Sequence, residues 1–524
     1  MGLPEPGEIV FYDYRTATGG TTCAENNAGR SSHNTNAAAD NSDNTAADEL
    51  NGGSTGGGGW RGRASRRALR LVQFNVERGY ELARVIDELR RLDPDVVALQ
   101  ECDVGCDRSG GADVGRAVAR ALGLCGFFLC EFTEIRSPLR DLRAQGGGAH
   151  GNAILSRYDL RHARCVAHSR RPVDWDLPPG QQPHALAKRE PRRGRRAALA
   201  ARVFPPWLST LSSPPSQPPP PGREGDEGGE SEAASGGGCC GELDGVLVYS
   251  AHLEVFCGAA DRAAQYADVV ADARRERRRE EEEGEARGGA GGRPEGDAAA
   301  ADDSAAEGRR RRRRRRRPWR HAILGDLNTM GHGVARLSPH YARGPLRWRS
   351  LGLTEGEWFE RHVLLLPPPP PSGRRRGAGG GGGGEEEAAR AVAAAAARRR
   401  LERWGAGAEA ARALVPNPGF SCPFAARDTI TLDNPSYRLR LPRWAAALLP
   451  GARCGGGDGG SGDGSGGGGA SGARGGSWWL PLMAGKLDWV LLHERGFRVE
   501  RAFLGNASFS ASDHAWLAVD AEVL

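Results

Sequence analysis

The chain has 524 residues and a formal net charge of +6, and its 77 glycines and 33 prolines fall in blocks rather than evenly. That clustering excludes a string of several full-sized domains and leaves about 310 residues for one large domain with a substantial core. The apolar run Ala391–Ala397 is short and flanked by arginine, which excludes a membrane-spanning helix as well.

In chain order, residues 1–65 are rich in Asn, Ala and Gly and offer little to bury, so disorder is expected there. Leu69–Asn75 reads as a short strand ending on a polar residue. Glu81–Leu92 then places Leu82, Val85, Ile86, Leu89 and Leu92 on one helical face, and Asp93-Pro94-Asp95 breaks it. Val96–Leu99 is a continuous apolar run suited to a strand covered on both faces, with Glu101 just beyond. Asp113 caps a second helix carrying Val114, Ala117, Val118, Ala121 and Leu122, which Gly123 stops. Further strands are expected at Gly151–Ser156, Val246–Ser250, His321–Leu324, Leu487–Leu492 and Ala515–Val523, and a helix at Ala259–Ala273. Four low-complexity blocks interrupt this domain, spanning 66–524, as inserts: Ser209–Gly241, Arg275–Arg317, Pro367–Ala413 and Gly451–Ser477.

The Arg309–Arg317 run has two readings: a nuclear-localisation or nucleic-acid patch, or a solvated insert facing the acidic Glu280–Glu283. Eleven cysteines lack metal spacing, and Cys102-x₃-Cys106 fits neither a zinc nor a redox motif. With no secretory signal or myristoylation signal, free thiols and an intracellular setting, cytoplasm or nucleus, are expected.

Six strand edges carry polar residues: Gln73-Phe74-Asn75, Leu99-Gln100-Glu101, Ser250-Ala251-His252-Leu253-Glu254, Gly325-Asp326-Leu327-Asn328, Lys486-Leu487-Asp488 and Ser512-Asp513-His514. Hydrolysis of a phosphoric ester needs oxygen ligands for a hard cation, a base for water and donors for developing charge. Asp, Asn and His at strand ends also make turns and caps, so any one edge alone means little. Six edges with complementary groups point to one site.

In this order the segments resemble the deoxyribonuclease I-like endonuclease/exonuclease/phosphatase superfamily, over Leu69 to the C-terminus with the inserts excised. The resemblance implies an α/β fold, a four-layer sandwich of two mixed β-sheets flanked by helices, with the site where loops converge at one end of the sheets. It implies Glu101 as principal Mg²⁺ ligand (Mn²⁺ able to substitute), with Asn75 or Asp513 beside it. Asp326 would orient or deprotonate the attacking water, while Asn328, His252 and His514 serve the phosphoryl charge or the leaving group. Asp488 would pair with His514. Asn152 would line the site or act as a turn residue, and Glu254, Arg262 and Gln265 fit the same pattern around His252. Glu77 stands where some members carry a second carboxylate, and a helix-entry role is an equal reading.

Beyond the shared core, Arg136 and Arg140 flank Ser137-Pro138-Leu139 and can either clamp a phosphate or stay solvated. Trp348 and Trp358 can stack on bases or pack an accessory helix on the core. The expected function is a Mg²⁺-dependent phosphodiesterase acting on nucleic acid or a nucleotide-containing ester. A phospholipid or inositol-phosphate hydrolase of the same fold, and a catalytically silent phosphate-binding scaffold, are the alternatives.

Overall fold

Side-chain alternation along the strands decides the architecture, because successive residues face opposite sides of a sheet. The computed structural model of the chain describes residues 2–15, 67–178, 181, 190–208, 243–289, 318–331, 335, 337–338, 341, 354–364, 392, 399, 417–433, 438–441, 453–454, 478–481 and 484–524. The elements begin with β1 (Ile9–Asp13), β2 (Ala68–Asn75), α1 (Leu82–Leu92), β3 (Val96–Val104), α2 (Val114–Leu122), β4 (Cys125–Glu134) and β5 (Ala149–Ser156). Next come β6 (Asp159–Ala167), β7 (Arg192–Gly194), β8 (Ala197–Phe204), β9 (Val246–His252), α3 (Ala259–Gly289), β10 (His321–Asp326) and α4 (Glu355–His362). Short strands follow: β11 (Phe420–Ser421), β12 (Leu432–Asp433), β13 (Arg438–Leu441), β14 (Arg453–Cys454), β15 (Trp478–Pro481) and β16 (Ala484–Gly485). The chain closes with β17 (Asp488–His493), β18 (Phe497–Gly505) and β19 (Trp516–Val523).

One sheet runs β1-β4-β5-β3-β2-β19-β18, with β7 also paired to β4, and the other runs β11-β17-β10-β9-β8-β6. Both are mixed: β2 lies parallel to β3 and β9 parallel to β10, while their other neighbours are antiparallel. Between the sheets, Leu69, Leu71, Val96, Ala98, Ile154, Leu199, Val248, Leu324, Val490, Leu517 and Val519 form one apolar cluster. On the outer side of the first sheet, Val72, Phe74, Val97 and Leu99 pack with Val85, Leu89 and Val118 of α1 and α2. On the outer side of the second, Tyr249, Ile323, Trp489 and Leu491 pack with Val269 and Val270 of α3 and Trp358 and Phe359 of α4. The order is helix, sheet, sheet, helix, the four-layer sandwich expected. Trp358 packs on the core; Trp348 lies outside the described residues.

The helix ends follow the sequence signals. Asp113 accepts a hydrogen bond from the Arg116 N–H at the start of α2, and Gly123 ends it in the left-handed region at φ 65°. Asp93 ends α1 in the same region at φ 47°.

Three placements differ from expectation. Within 1–65, Ile9–Asp13 forms β1, an edge strand on β4 that buries Tyr12 against α2. Within 275–317, α3 continues to Gly289, carried by side-chain pairs such as Arg277–Glu281 at 2.8 Å. Glu280 is buried, with Arg202 and His321 each 2.8 Å away. Within 451–477, Arg453–Cys454 pairs with β15. The arginine run and most of the other expected inserts lie outside the described residues. Among those residues, no helix is long and apolar enough to cross a membrane.

Candidate active site

The inter-sheet face of each central strand is apolar along its length and polar at one end. In β2, Leu69 and Leu71 give way to Gln73 and Asn75; in β9, Val246 and Val248 to Ser250 and His252; in β10, Ala322 and Leu324 to Asp326. In β17 the order reverses, Asp488 preceding Val490 and Leu492, because that strand is antiparallel to β10. Asp326 and Asp488 are register partners, so one ladder holds both carboxylates at the same end of the sandwich.

A chain of buried amides joins the two sheets beneath that end. Gln73 Nε2 donates to Gln100 Oε1 and, at 3.0 Å, to Asp488 Oδ1, and Gln100 Nε2 donates to Ser250 Oγ at 2.9 Å. Above it sits Asp326. Its Oδ2 accepts from Asn75 Nδ2 at 3.0 Å and lies 3.5 Å from His252 Nε2 and 3.9 Å from His514 Nε2. Its Oδ1 accepts from the Asn328 N–H at 2.8 Å, and Asn328 Nδ2 donates to the Leu253 carbonyl at 2.9 Å.

The two histidines are held in opposite electrostatic settings. His514 Nδ1 is 2.7 Å from Asp488 Oδ2, which fixes Nδ1 as the donor and turns Nε2 toward Asp326. Burial opposes its charge, but Asp488, with Asp513 and Asp326, raises His514 well above the ordinary imidazole range. His252 Nδ1 is 2.8 Å from Arg196 Nη1, which can only donate, so the ring proton belongs on Nε2. Burial, reinforced by Arg196, keeps His252 well below the ordinary range and therefore neutral. Burial, with Asp488 nearby, pushes the Asp326 carboxyl up to about 7 against the pull of His514.

A second group of oxygens lies beside this one. Register shifts between Leu99 and Cys102 where β3 meets β5, and Glu101 sits in that bulge at φ 58°, which re-aims its carboxylate. Burial opposes its ionisation, yet Arg78, then His252, His150 and Arg196, hold it well below the usual carboxylate range. Glu77 accepts from the Asp513 N–H at 2.9 Å, while burial and Asp513 push its carboxyl up to about 7. Asp513 is likewise raised, by burial and then Glu101.

Glu77, Glu101 and Asp513 thus repel one another at a partly buried spot, an all-oxygen donor set suited to a hard divalent cation. A tighter trio, Asp326, Asp488 and His514, has donor atoms within 4.8 Å of one another. It suits a metal less well, because the Asp488–His514 contact already shares a proton and Asp326 Oδ2 already accepts from Asn75.

Other expected site residues fall elsewhere. Arg262 is buried: its guanidinium pairs with both Glu355 oxygens, at 2.6 and 2.7 Å, and donates to the carbonyls of Glu254, Val255, Cys257 and Tyr341. Every N–H is engaged, so it braces the loop after His252 and has none to offer a substrate. Arg136 is exposed and bidentate to Asp107 at 2.7 and 2.9 Å, away from the cluster's contacts. Glu254 accepts from the Trp175 indole and Gln265 from the Glu254 N–H, both 2.9 Å, which makes them supports. Asn152 is buried between the sheets, donating to the Ala197 carbonyl at 3.2 Å, while its Oδ1 has no partner.

Sequence reasoning missed Arg196, which links His252 to Glu131 at 2.7 Å, and Arg78, between Glu101 and Glu190 at 3.7 and 3.6 Å. Neither lies in any of the six polar strand-edge segments that marked the rest. Arg78 is set by three successive left-handed residues, Glu77, Arg78 and Gly79, at φ 46°, 64° and 76°.

The family model described as the Endonuclease/Exonuclease/phosphatase family matches residues 72–419. The chain belongs to that family of phosphoesterase hydrolases. No curated protein matches it. Solved structures similar to it include an endonuclease/exonuclease/phosphatase from Beutenbergia cavernae DSM 12333, at 15% identity and TM-score 0.35, covering 87% of this chain and 72% of that one. The human nocturnin catalytic domain with bound sulfate is 12% identical at TM-score 0.33, covering 88% and 96%. A mannosyl-6-phosphatase from Bacteroides thetaiotaomicron is 9% identical at TM-score 0.29, covering 86% and 99%.

Proposed function

We propose that this chain is a Mg²⁺-dependent phosphodiesterase, acting on nucleic-acid or nucleotide-containing esters by in-line attack of water. The observation that carries the reading is the convergence on Asp326: Asn75 at 3.0 Å, His252 at 3.5 Å and His514 at 3.9 Å, with His514 locked to Asp488 at 2.7 Å. Glu101, with Asp513, Glu77 and the Asn75 amide oxygen, would hold the cation, whose chemistry there would be Lewis-acid neutralisation of phosphoryl oxygen.

The side chains divide the remaining work. Asp326 orients the water through Oδ2 and takes its proton, with Asn75 and the Asn328 N–H fixing the carboxylate plane. His514, charged and anchored by Asp488, donates from Nε2 to phosphoryl oxygen. Neutral His252 donates from Nε2 on the Glu101 side, its other nitrogen occupied by Arg196. Asn328 lends its backbone N–H to Asp326, and its side-chain amide braces the Leu253 carbonyl.

The test compares single- and double-stranded DNA, RNA, abasic DNA, sphingomyelin, inositol phosphates and an aryl phosphodiester, with Mg²⁺ and with chelator. Chelation should abolish turnover, and Asp326→Asn or His514→Gln should lower it on the order of 10²–10⁴-fold. Wild-type rates in folded variants overturn the assignment, and turnover confined to lipids overturns the substrate class.

A further inference from the structure

Beside Glu101 the chain gathers three guanidinia around one carboxylate, Glu190. Glu190 lies 3.6 Å from Arg78 Nη2, 3.7 Å from Arg140 Nη2 and 3.4 Å from Arg192 Nη2. Three guanidinia on one carboxylate, none at the 2.7–2.9 Å of a strong charge-assisted bond, is loose coordination. Arg140 and Arg192 are buried, with side-chain exposures of 4% and 5%, and Arg140 Nη2 and Arg192 Nε have no hydrogen-bond partner. Arg192 lies 4.1 Å from the Trp175 ring centre and 4.8 Å from that of Phe132, so packing fixes its plane. Glu190 and Arg78 are the open side, at 30% and 26%.

The neighbouring charges balance only with Glu101 included. Arg140 also reaches Glu134 at 3.2 Å, but Glu134 is shared with Arg108, itself bidentate to Asp103 at 2.7 and 2.8 Å. Four guanidinia therefore face Glu190, Glu134 and Asp103, with Glu101 as the fourth anion. Once Glu101 is engaged with a cation, one positive charge stays uncompensated. Arg78 touches Glu101 on one side and Glu190 on the other, so the two carboxylates are separated by the width of one guanidinium.

We infer that Arg78, Arg140 and Arg192 form a subsite for a second phosphate group of the substrate, next to the scissile one, and that Glu190 occupies it when no substrate is bound. This rests on the phosphoester reading above and narrows it to substrates carrying two neighbouring phosphates. The second phosphate comes either from a nucleotide's terminal monoester or from the next diester of an oligonucleotide.

The experiment is calorimetric titration of the full chain with Mg²⁺, using two probe pairs. Adenosine 3′,5′-bisphosphate against adenosine 5′-monophosphate tests the monoester; a thymidine trinucleotide with two diesters against a dinucleotide with one tests the backbone. The doubly phosphorylated member of at least one pair should bind about tenfold or more tightly, the scale of hydrogen bonds to a charged group. Glu190→Gln should widen that gap by removing the competing carboxylate, and Arg140→Met should collapse it. A gain in the first pair alone assigns a terminal phosphate, and in the second alone a backbone phosphate. Equal binding within both pairs, for wild type and Glu190→Gln alike, overturns the inference. If Arg140→Met does not fold, the half-exposed Glu190 variant decides alone. Turnover of an aryl phosphodiester, measured in parallel, tests the hydrolase reading separately, because that ester has no second phosphate.

Discussion

A guanidinium is assigned by counting where its five N–H groups go. For Arg262 they go to Glu355 and four carbonyls, so its removal strands a buried carboxylate rather than a substrate contact. Arg262→Met should cost about 3–5 kcal/mol of stability, the range for breaking one side of a buried ion pair, with KM unchanged in protein that remains folded. Urea denaturation beside steady-state kinetics checks this; unchanged stability with a raised KM would return Arg262 to the substrate. In the sequence, Arg262 lay near His252 and carried no sign of Glu355, its partner 93 residues away. The carboxylates and histidines were legible for the opposite reason, since each follows or begins a buried strand whose alternation fixes its direction. Glu101 was legible as a strand-end residue, although its bulge was not.

At the scale of elements, β9 and β10 run parallel with almost no room between backbones at Gly325. A Cβ there would stand 2.1 Å from the Ala251 carbonyl oxygen, although the glycine's φ is unremarkable. Gly325→Ala must therefore push apart the strands that end in His252 and Asp326, and it should lower turnover together with the thermal midpoint. A variant with wild-type values for both would show that the approach is looser than described. The glycine was read only as part of a motif, because close backbone approach leaves no trace in one sequence. The edge strand β1 escaped for a similar reason: Ile9–Phe11 is too short a run to signal a strand before its partner β4 is known. The far half of α3 escaped because alternating Arg and Glu resemble a solvated insert until Arg277–Glu281 and Arg202–Glu280 are seen to fasten it.

Across the whole molecule, buried neutral histidines make folding sensitive to acid. His493 stacks on Trp319 at 4.1 Å; its Nε2 donates to the Pro418 carbonyl at 3.0 Å and its Nδ1 accepts from the Arg495 N–H at 3.2 Å. Only the neutral ring satisfies both, and burial pushes its pKa down to about 2. Burial and then Arg196 lower His168 to about 4, with Asp268 3.9 Å away. Both folded values lie below the unfolded one, so the unfolded chain takes up protons first. The contribution of each to stability is full above about pH 6.5 and falls below it, by up to roughly 1.4 kcal/mol per pH unit. Between pH 7 and 4.5 the thermal midpoint of His493→Gln should fall less, or rise more, than that of the wild type; parallel profiles would contradict this. The amide chain from Gln73 and Gln100 to Asp488 and Ser250 has its own corollary, because the two sheets contribute different reacting groups and these few bonds hold them in alignment. A slide of one sheet over the other, too slight to disturb any strand, would already part Asp326 from Glu101. On warming, loss of catalysis should therefore precede loss of circular dichroism, so that the enzyme reports on its own internal alignment.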